Sequence, residues 1–449
     1  MSAIETTNTL NRAHPNQRLR RGLLVWTRRA LLGLLILLVA LGAIGAACQE
    51  MATVRDAQAF PPQGQLVDVG GYRLHLYCIG QGSPTVILES GQANSLAVWS
   101  WIQPEVAQTT RVCAYDRAGV GWSEPGPMPR DARQMVLELH TLLQNAAVAP
   151  PYVLVGHSFG GLVTHVYAAQ YPAEVAGLVW LDVEHPEQWT RTPEGRAQYQ
   201  QILRLSRIGP SVARIGLIRL SNYFPLVKEL PLPAADAFKA WVDTTRFMEI
   251  NTAEFQGQLA SAAQAKAAGL LGDMPLVVVT ATDHGYPPDM ADVLEAQWLT
   301  MQTELAALST NSAQQIVEGA THGSLQVNER DAQVSSAAIL WVVEAVRTGK
   351  PLQVTVTAQE ILTSPKNSGQ WQSPGNHSEF TGGNMTTNLK LTDLSSKHQP
   401  PHHGGQPSSA TAITPTVWPS PRSSVASICT LPAFFWAMHC SPICLHRRL

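Results

Sequence analysis

The sequence predicts an α/β protein with a doubly wound, mostly parallel sheet, an antiparallel hairpin before it and a helical cap inserted in it. Six near-continuous apolar runs indicate strands buried on both faces, at 86–89, 112–116, 152–156, 178–182, 276–280 and 315–319. Helix-length segments such as 132–146 and 161–170 separate them. About 90 residues between 183 and 273, apolar at helical spacing, are too many for a simple crossover and predict the cap.

The N-terminus contains a candidate membrane span. Residues 30–49 carry no charge, and as a helix they would reach about 30 Å, the thickness of a bilayer core. Basic residues precede this run, namely Arg12, Arg18, Arg20, Arg21, Arg28 and Arg29. The positive-inside rule therefore predicts a single-pass signal anchor with residues 1–29 in the cytoplasm and the remainder extracytoplasmic. A cleaved signal, a twin-arginine signal, a lipidated Cys48 and a buried helix remain as alternatives.

The following elements are predicted in chain order. Residues 50–60 are expected to be a linker, and residues 66–69 and 74–77 a hairpin that turns at Gly70-Gly71. The core is expected to occupy 61–182 and 274–350, with the cap at 183–273 between its two parts. Residues 351–449, rich in serine and proline, lack periodicity and are expected to be a disordered, low-complexity tail.

Composition excludes several classes of function. The chain has 31 Lys and Arg against 33 Asp and Glu, so it offers no basic surface for nucleic acid. Six cysteines in 449 residues are too few for a disulfide scaffold, and none has zinc-ligand spacing. Dinucleotide and phosphate-loop fingerprints are also missing from the sequence. We therefore expect no metal and no cofactor. Oligomeric state stays open.

The chemistry-bearing motif is the segment YVLVGHSFGG, 152–161, in which a buried strand ends at Gly156-His157-Ser158-Phe159-Gly160 and a helix starts. This is G-x-S-x-G in a strand–turn–helix, where a strained turn exposes the serine oxygen. Large side chains two residues to either side would collide, which explains Gly156 and Gly160. Ser158 is the predicted nucleophile.

With the segments PTVILESG, 84–91, and YDRAGVGWS, 115–123, this motif resembles the α/β-hydrolase superfamily, in particular its capped serine esterases. The resemblance covers roughly residues 67–346. Asp116 and Arg117 look like the structural loop that these proteins have beside the site. A serine at the nucleophile position argues against haloalkane dehalogenases and epoxide hydrolases, which have an aspartate there.

The resemblance implies the other site residues. The base should be His322, which follows the last strand and precedes a helix at 332–346. Asp283, after the strand that follows the cap, is the favoured acid, and Asp182, which ends the preceding strand, is the alternative. The amides of Phe159 and Gln92 should form the oxyanion hole.

The resemblance also pairs the strands of Cys78 and Cys113, and because export permits oxidation, a Cys78–Cys113 disulfide is expected.

These expectations indicate a membrane-bound serine hydrolase that cleaves ester-like bonds of a small molecule through an acyl-enzyme. An amide or peptide-bond hydrolase of the same fold is an alternative, in which the cap acids Glu194, Asp236 or Glu249 would bind a substrate ammonium group. A catalytically silent binding protein is the third possibility.

Overall fold

The computed structural model describes residues 15–221, 228–352 and 388–390 of the chain. Twelve α-helices and nine β-strands lie within these ranges. The strands are β1 Gln65–Asp68, β2 Arg73–Ile79, β3 Thr85–Glu89, β4 Val112–Tyr115, β5 Tyr152–His157, β6 Val175–Leu181, β7 Leu276–Asp283, β8 Ser312–Thr321 and β9 Asn388–Lys390. The helices are α1 Pro15–Ala59, α2 Ile102–Ala107, α3 Ala132–Asn145, α4 Gly160–Gln170, α5 Pro193–Ser206, α6 Gly209–Arg214, α7 Leu217–Ser221, α8 Leu232–Val242, α9 Thr245–Ala268, α10 Ala291–Ala306, α11 Ser324–Val327 and α12 Glu329–Thr348.

All nine strands form one sheet, in the order β1-β2-β4-β3-β5-β6-β7-β8-β9. The hairpin β1–β2 is antiparallel and pairs antiparallel with β4, whereas β3 to β8 run parallel. The predicted fold class and its hairpin are therefore confirmed. Helices cover both faces: α2 and α12 pack on one, and α3, α4 and α10 on the other. Parallel strands with both faces covered explain the continuous apolar runs of the sequence.

The insertion between β6 and β7 is helical, as predicted, and contains α5 to α9. Its longest helix, α9, packs against α3 and α4. The contact with the segment just before α3 is close, because a side chain at Gly257 would meet the carbonyl oxygen of Arg130, 2.1 Å from the ideal Cβ position. The cap is therefore tied to the core through the main chain of both parts.

The N-terminal helix is longer than expected. Helix α1 continues to Ala59, so residues 50–59 of the segment predicted as a linker are helical. No helix-breaking residue occurs between Gly45 and Pro61, and one face of this stretch packs on the cap. Residues 22–59 contain a fully exposed window with a mean hydropathy of 2.7, long and apolar enough to cross a membrane. Helices of this kind also occur as signal sequences.

Most of the predicted tail, 351–449, lies outside the described residues. Three residues within it, Asn388–Lys390, form β9 and pair with Gln314–Ile316 of β8. A strand here covers main-chain groups that β8 would otherwise leave open at the edge of the sheet. For these three residues the expectation of disorder differs from the structure.

The expected cysteine pair is joined in the structure. Cys78 of β2 and Cys113 of β4 are directly opposite in the antiparallel register, and a disulfide links them. The bond lies across the pairing that attaches the hairpin to the parallel strands. It closes a loop of 35 residues in sequence.

We expect the double variant Cys78→Ser/Cys113→Ser to lose about 3 kcal/mol of unfolding free energy, because its unfolded chain regains the freedom that the loop removes. The thermal unfolding midpoint of the full chain measures this. Cys48→Ser is the control, since Cys48 is exposed and unbonded. Equal midpoints for the wild-type and double-variant chains would contradict the prediction.

Candidate active site

Ser158 lies in a tight turn between β5, which ends at His157, and α4, which begins at Gly160. Its φ of 54° is in the left-handed region, where a residue with a Cβ is strained. The half-buried Ser158 precedes the positive end of α4, which favours developing negative charge. The turn is the one that the sequence predicts.

Both glycines of the turn are required by close main-chain contacts. A Cβ at Gly156 would be 2.8 Å from the amide nitrogen of Gly161, and one at Gly160 would be 2.6 Å from the carbonyl oxygen of Glu89. Neither neighbour can move without displacing a strand or a helix. The sharp reversal that presents Ser158 therefore depends on these two positions.

His322 follows β8 and makes its hydrogen bond to Asp182, not to Asp283. Its Nδ1 is 2.7 Å from Oδ2 of Asp182, whose side chain is fully buried. Asp283 is exposed at the end of β7, where its Oδ1 accepts a hydrogen bond from the amide of Gly285. The structure thus brings Asp182, the alternative acid of the sequence analysis, to His322, and it does not bring the favoured Asp283 there. The reason is that β7 continues to Asp283, whose side chain points outward, whereas Asp182 leaves β6 with a φ of 46° and turns inward.

A second histidine binds the same carboxylate. His284 Nε2 is 2.9 Å from Asp182 Oδ2, and its Nδ1 is 2.7 Å from Glu295 Oε2. Asp182 Oδ1 accepts from the indole of Trp298 at 2.8 Å and from the amide of Ala281 at 3.1 Å. Sequence reasoning left His284 among the histidines without a role. The available signal was its position at the end of a sheet strand, beside Asp283.

The charges of this group are coupled. Burial alone would raise the pKa of Asp182, but hydrogen bonds from His284 and His322 hold it well below its ordinary value. Burial alone would lower the pKa of His284, whereas Asp182 and Glu295 raise it to about 9. At neutral pH, His284 is therefore a cation between two carboxylates.

Asp182, His284 and His322 form one group of potential metal ligands among the described residues, with donor atoms within 4.8 Å of one another. The facing nitrogens of both histidines are hydrogen-bonded to Asp182. These three side chains therefore interact as a carboxylate that accepts hydrogen bonds from two imidazoles.

His157, beside Ser158, is buried and bonds to the loop after β8. Its Nε2 donates to the carbonyl oxygen of His322 at 2.8 Å. Burial and the charge of His322 lower the pKa of His157 to about 3, so it stays neutral. The residue before Ser158 therefore ties the turn after β5 to the loop after β8.

The loop after β3 lies against the turn of Ser158. A Cβ at Gly91 would be 3.0 Å from His157 Nδ1 and 3.3 Å from Ser158 Cβ. The next residue, Gln92, donates from Nε2 to the carbonyl oxygen of Asn251 at 2.9 Å. Gln92 thus follows the glycine that contacts the turn, and Phe159, which follows Ser158, is buried.

A buried arginine holds this loop. The five N–H groups of Arg117 donate to Glu89, to Glu254 twice, and to the carbonyl oxygens of Ser90 and Gly91, at 2.5–2.9 Å. Glu254, on α9 of the cap, also accepts from the amide of Ala93 at 2.7 Å. Burial alone would lower the pKa of Arg117, but Glu254 and Glu89 raise it above its ordinary value. Arg117 therefore joins the core, the loop after β3 and the cap.

Comparisons with known proteins agree with this architecture. A family model described as the alpha/beta hydrolase fold matches residues 84–216. Uncharacterized protein YqjL of Bacillus subtilis is 35% identical over 103 residues, which are 23% of this chain and 41% of the relative. An AB hydrolase superfamily protein of Gibberella zeae is 34% identical over 103 residues, 22% of this chain and 32% of the relative. The chain thus spans less than half the length of these two relatives.

Among solved structures, haloalkane dehalogenase DbeA from Bradyrhizobium elkani is similar with a TM-score of 0.50 and 16% identity, over 64% of this chain and 99% of that one. At this identity the likeness concerns the fold. Together with the sheet order and the family match, it makes this chain an α/β-hydrolase-fold protein.

Replacing the buried arginine should destabilise the protein strongly. Arg117→Met leaves the carboxylates of Glu89 and Glu254 buried without their cation, and we expect a loss of about 3–5 kcal/mol of unfolding free energy. Chemical denaturation measures it. Arg73→Met is the matched control, because its ion pair with Glu124 is exposed and should contribute little. Equal losses in both variants would contradict the role assigned to Arg117.

His284 should make stability depend on alkaline pH. Its folded pKa of about 9 lies above the ordinary 6.5, so its contribution is complete below pH 6.5 and is lost as pH rises toward 9. Within this window it lowers the unfolding free energy by up to about 1.4 kcal/mol per pH unit. His284→Gln should remove this slope, whereas Asp283→Asn, one residue away, should retain it. Denaturation midpoints between pH 6.5 and 9.5 provide the measurement, and a wild-type slope in the His284 variant is the contrary result.

Proposed function

We propose that this protein is a serine hydrolase that cleaves carboxylic ester or lactone-like bonds through an acyl-enzyme on Ser158. The observation that carries the proposal is the 2.7 Å hydrogen bond between His322 and the buried Asp182, at the edge of the sheet where the strained turn presents Ser158. A nucleophile needs a base, and the base needs an orienting acid. Asp182 fits the part of the acid better than Asp283 does.

The proposed reaction begins with attack of Ser158 Oγ on the substrate carbonyl carbon. Its proton passes to Nε2 of His322, whose Nδ1–H donates to Asp182 and stabilises the imidazolium. The oxyanion accepts hydrogen bonds from the amides of Phe159 and Gln92. Collapse expels the alcohol, which takes the proton from His322 and leaves an ester on Ser158. Water then attacks that ester as His322 accepts its proton. Collapse releases the acid while His322 returns the proton to Ser158 Oγ, which restores both residues.

The cap and the core together hold the proposed oxyanion loop. Gln92 is bonded to Asn251 of α9, and Ala93 is bonded through its amide to Glu254 and through its carbonyl oxygen to the indole of Trp241, at 2.9 Å. These contacts reduce the reorganisation needed when negative charge develops, which is the main source of catalysis by such donors.

An ammonium-binding site for a peptide substrate finds less support. Glu194, Asp236 and Glu249 are all exposed, and Glu249 is paired with Arg214 at 2.9 Å. We therefore place ester hydrolysis ahead of aminopeptidase-like activity.

We further propose that α1 anchors the protein as a single-pass helix with the catalytic domain outside the cytoplasm. The apolar window of α1, the arginines before it and the disulfide beyond it support this orientation.

The full chain in detergent should hydrolyse p-nitrophenyl esters, and Ser158→Ala should lose activity by at least about 10³-fold, since the nucleophile is removed. A fluorophosphonate probe should label the wild-type protein and not the variant. Hydrolysis of anilides but no ester would favour the amide hydrolase. A folded wild-type protein that neither turns over nor reacts with the probe would be a silent binding protein.

The two aspartates are a matched pair in the same assay. Asp182→Asn should reduce kcat by about 10³–10⁴-fold, because His322 loses its orienting carboxylate. Asp283→Asn should retain kcat within a few-fold, since its carboxylate is exposed and bonded only within its own loop. The reverse order would restore Asp283 as the acid.

A further inference from the structure

Beyond the candidate site, one face of α1 is covered by the cap. Its less exposed positions recur every three or four residues, as on one side of a helix: 42, 45, 46, 49, 52, 53 and 56. Gln49 Nε2 donates to the carbonyl oxygen of Asp243 at 2.7 Å, and Arg219 of α7 donates to Gln49 Oε1 at 3.1 Å and to Asp56 Oδ2 at 2.6 Å. The end of α1 is therefore attached to the cap by polar contacts.

The attachment extends into the predicted span itself. A Cβ at Gly45 would be 2.4 Å from the carbonyl oxygen of Ile215, and one at Gly42 would be 3.9 Å from Ile215 Cγ2. Gly45 precedes the end of the 30–49 span by four residues, about 6 Å along a helix. The segment that joins α6 to α7 thus lies at the level of the last turn of the span.

At this level the cap exposes apolar side chains. Ile215 is 39% exposed, Leu217 49% and Leu220 80%, although all three are large aliphatic residues. Their neighbours on α7 have other contacts: Ile218 is buried in the core, and Arg219 faces α1. Leu217 and Leu220 lie on the outward side of α7, and packing against the described residues leaves much of each side chain exposed.

We propose that Ile215, Leu217 and Leu220 form a bilayer-contacting edge of the cap, which enters the interface of the leaflet at the extracytoplasmic end of α1. The proposal rests on the anchor proposed above. Its occupant is lipid, because the edge continues the lipid-facing surface of the span and because its side chains are aliphatic. Burial in the acyl region removes these side chains from water without a protein partner.

The experiment uses the full chain reconstituted in phosphatidylcholine vesicles. Cys48 and the three cysteines after residue 391 are replaced by serine, and one cysteine carrying the fluorophore NBD is introduced at position 36, 137 or 220. Lipids with a nitroxide on acyl carbon 5 or carbon 12 quench a fluorophore at the corresponding depth. Leu137 of α3 is the matched control, since it is an exposed leucine at 54% on a helix that covers the sheet.

We expect quenching at position 36 by both lipids, quenching at 220 mainly by the carbon-5 nitroxide, and none at 137. Quenching at 36 with 220 behaving like 137 would overturn the bilayer-contacting edge and leave the anchor in place. A blue-shifted probe at 220 that no lipid quenches would overturn it in favour of a protein partner. Absence of quenching at 36 as well would overturn both the anchor and the edge.

Discussion

The buried guanidinium of Arg117 is the constraint on which the rest of the site depends. Arg117 lies in the loop after β4 and acts only as a hydrogen-bond donor. It donates to the carboxylates of Glu89 on β3 and Glu254 on the cap, and to two main-chain carbonyl oxygens in the loop after β3. A planar group with five fixed donors can meet such a set in one arrangement only. Arg117 therefore links core, loop and cap through one side chain, although none of its hydrogen bonds reaches Ser158 directly.

The second constraint is the convergence of strand ends. In a parallel sheet the carboxyl ends of neighbouring strands meet at one edge, which is where ligands bind in open α/β folds. Ser158, Asp182 and His322 directly follow β5, β6 and β8 at this edge. The bond from His157 to the carbonyl oxygen of His322 joins the ends of β5 and β8. Ser158 and Asp182 both have left-handed φ values, which strain the backbone of the two turns that hold them.

Sequence patterns predicted the strands, the hairpin, the cap and the turn at Ser158, because each depends on local periodicity or on glycines at fixed positions. The choice between Asp182 and Asp283 could not be made in this way. Both aspartates end a strand, and only the backbone angle at Asp182 directs its side chain inward. The contacts of His284 could not be predicted from local sequence either, because its partners Asp182 and Glu295 are brought to it by tertiary structure.

The end of α1 was misjudged for a different reason. A membrane span is predicted from a run of uncharged residues, and this run ends before Glu50. The end of the uncharged run therefore marks the predicted end of the helix. Helix formation continues through Asp56 because Gln49 and Asp56 find polar partners on the cap. The uncharged run predicts which part of a helix could span a bilayer, and it does not predict the residue at which the helix ends.

The chain order of the site has a consequence for biosynthesis. Ser158 and Asp182 precede the cap, and His284 and His322 follow it, so 140 residues separate Asp182 from His322. Contacts of such long range form late, after the intervening chain has collapsed. A ribosome-bound chain that has not reached residue 322 thus contains Ser158 without His322. The proposed catalytic group is therefore complete only after β8 and the residue that follows it have been synthesised.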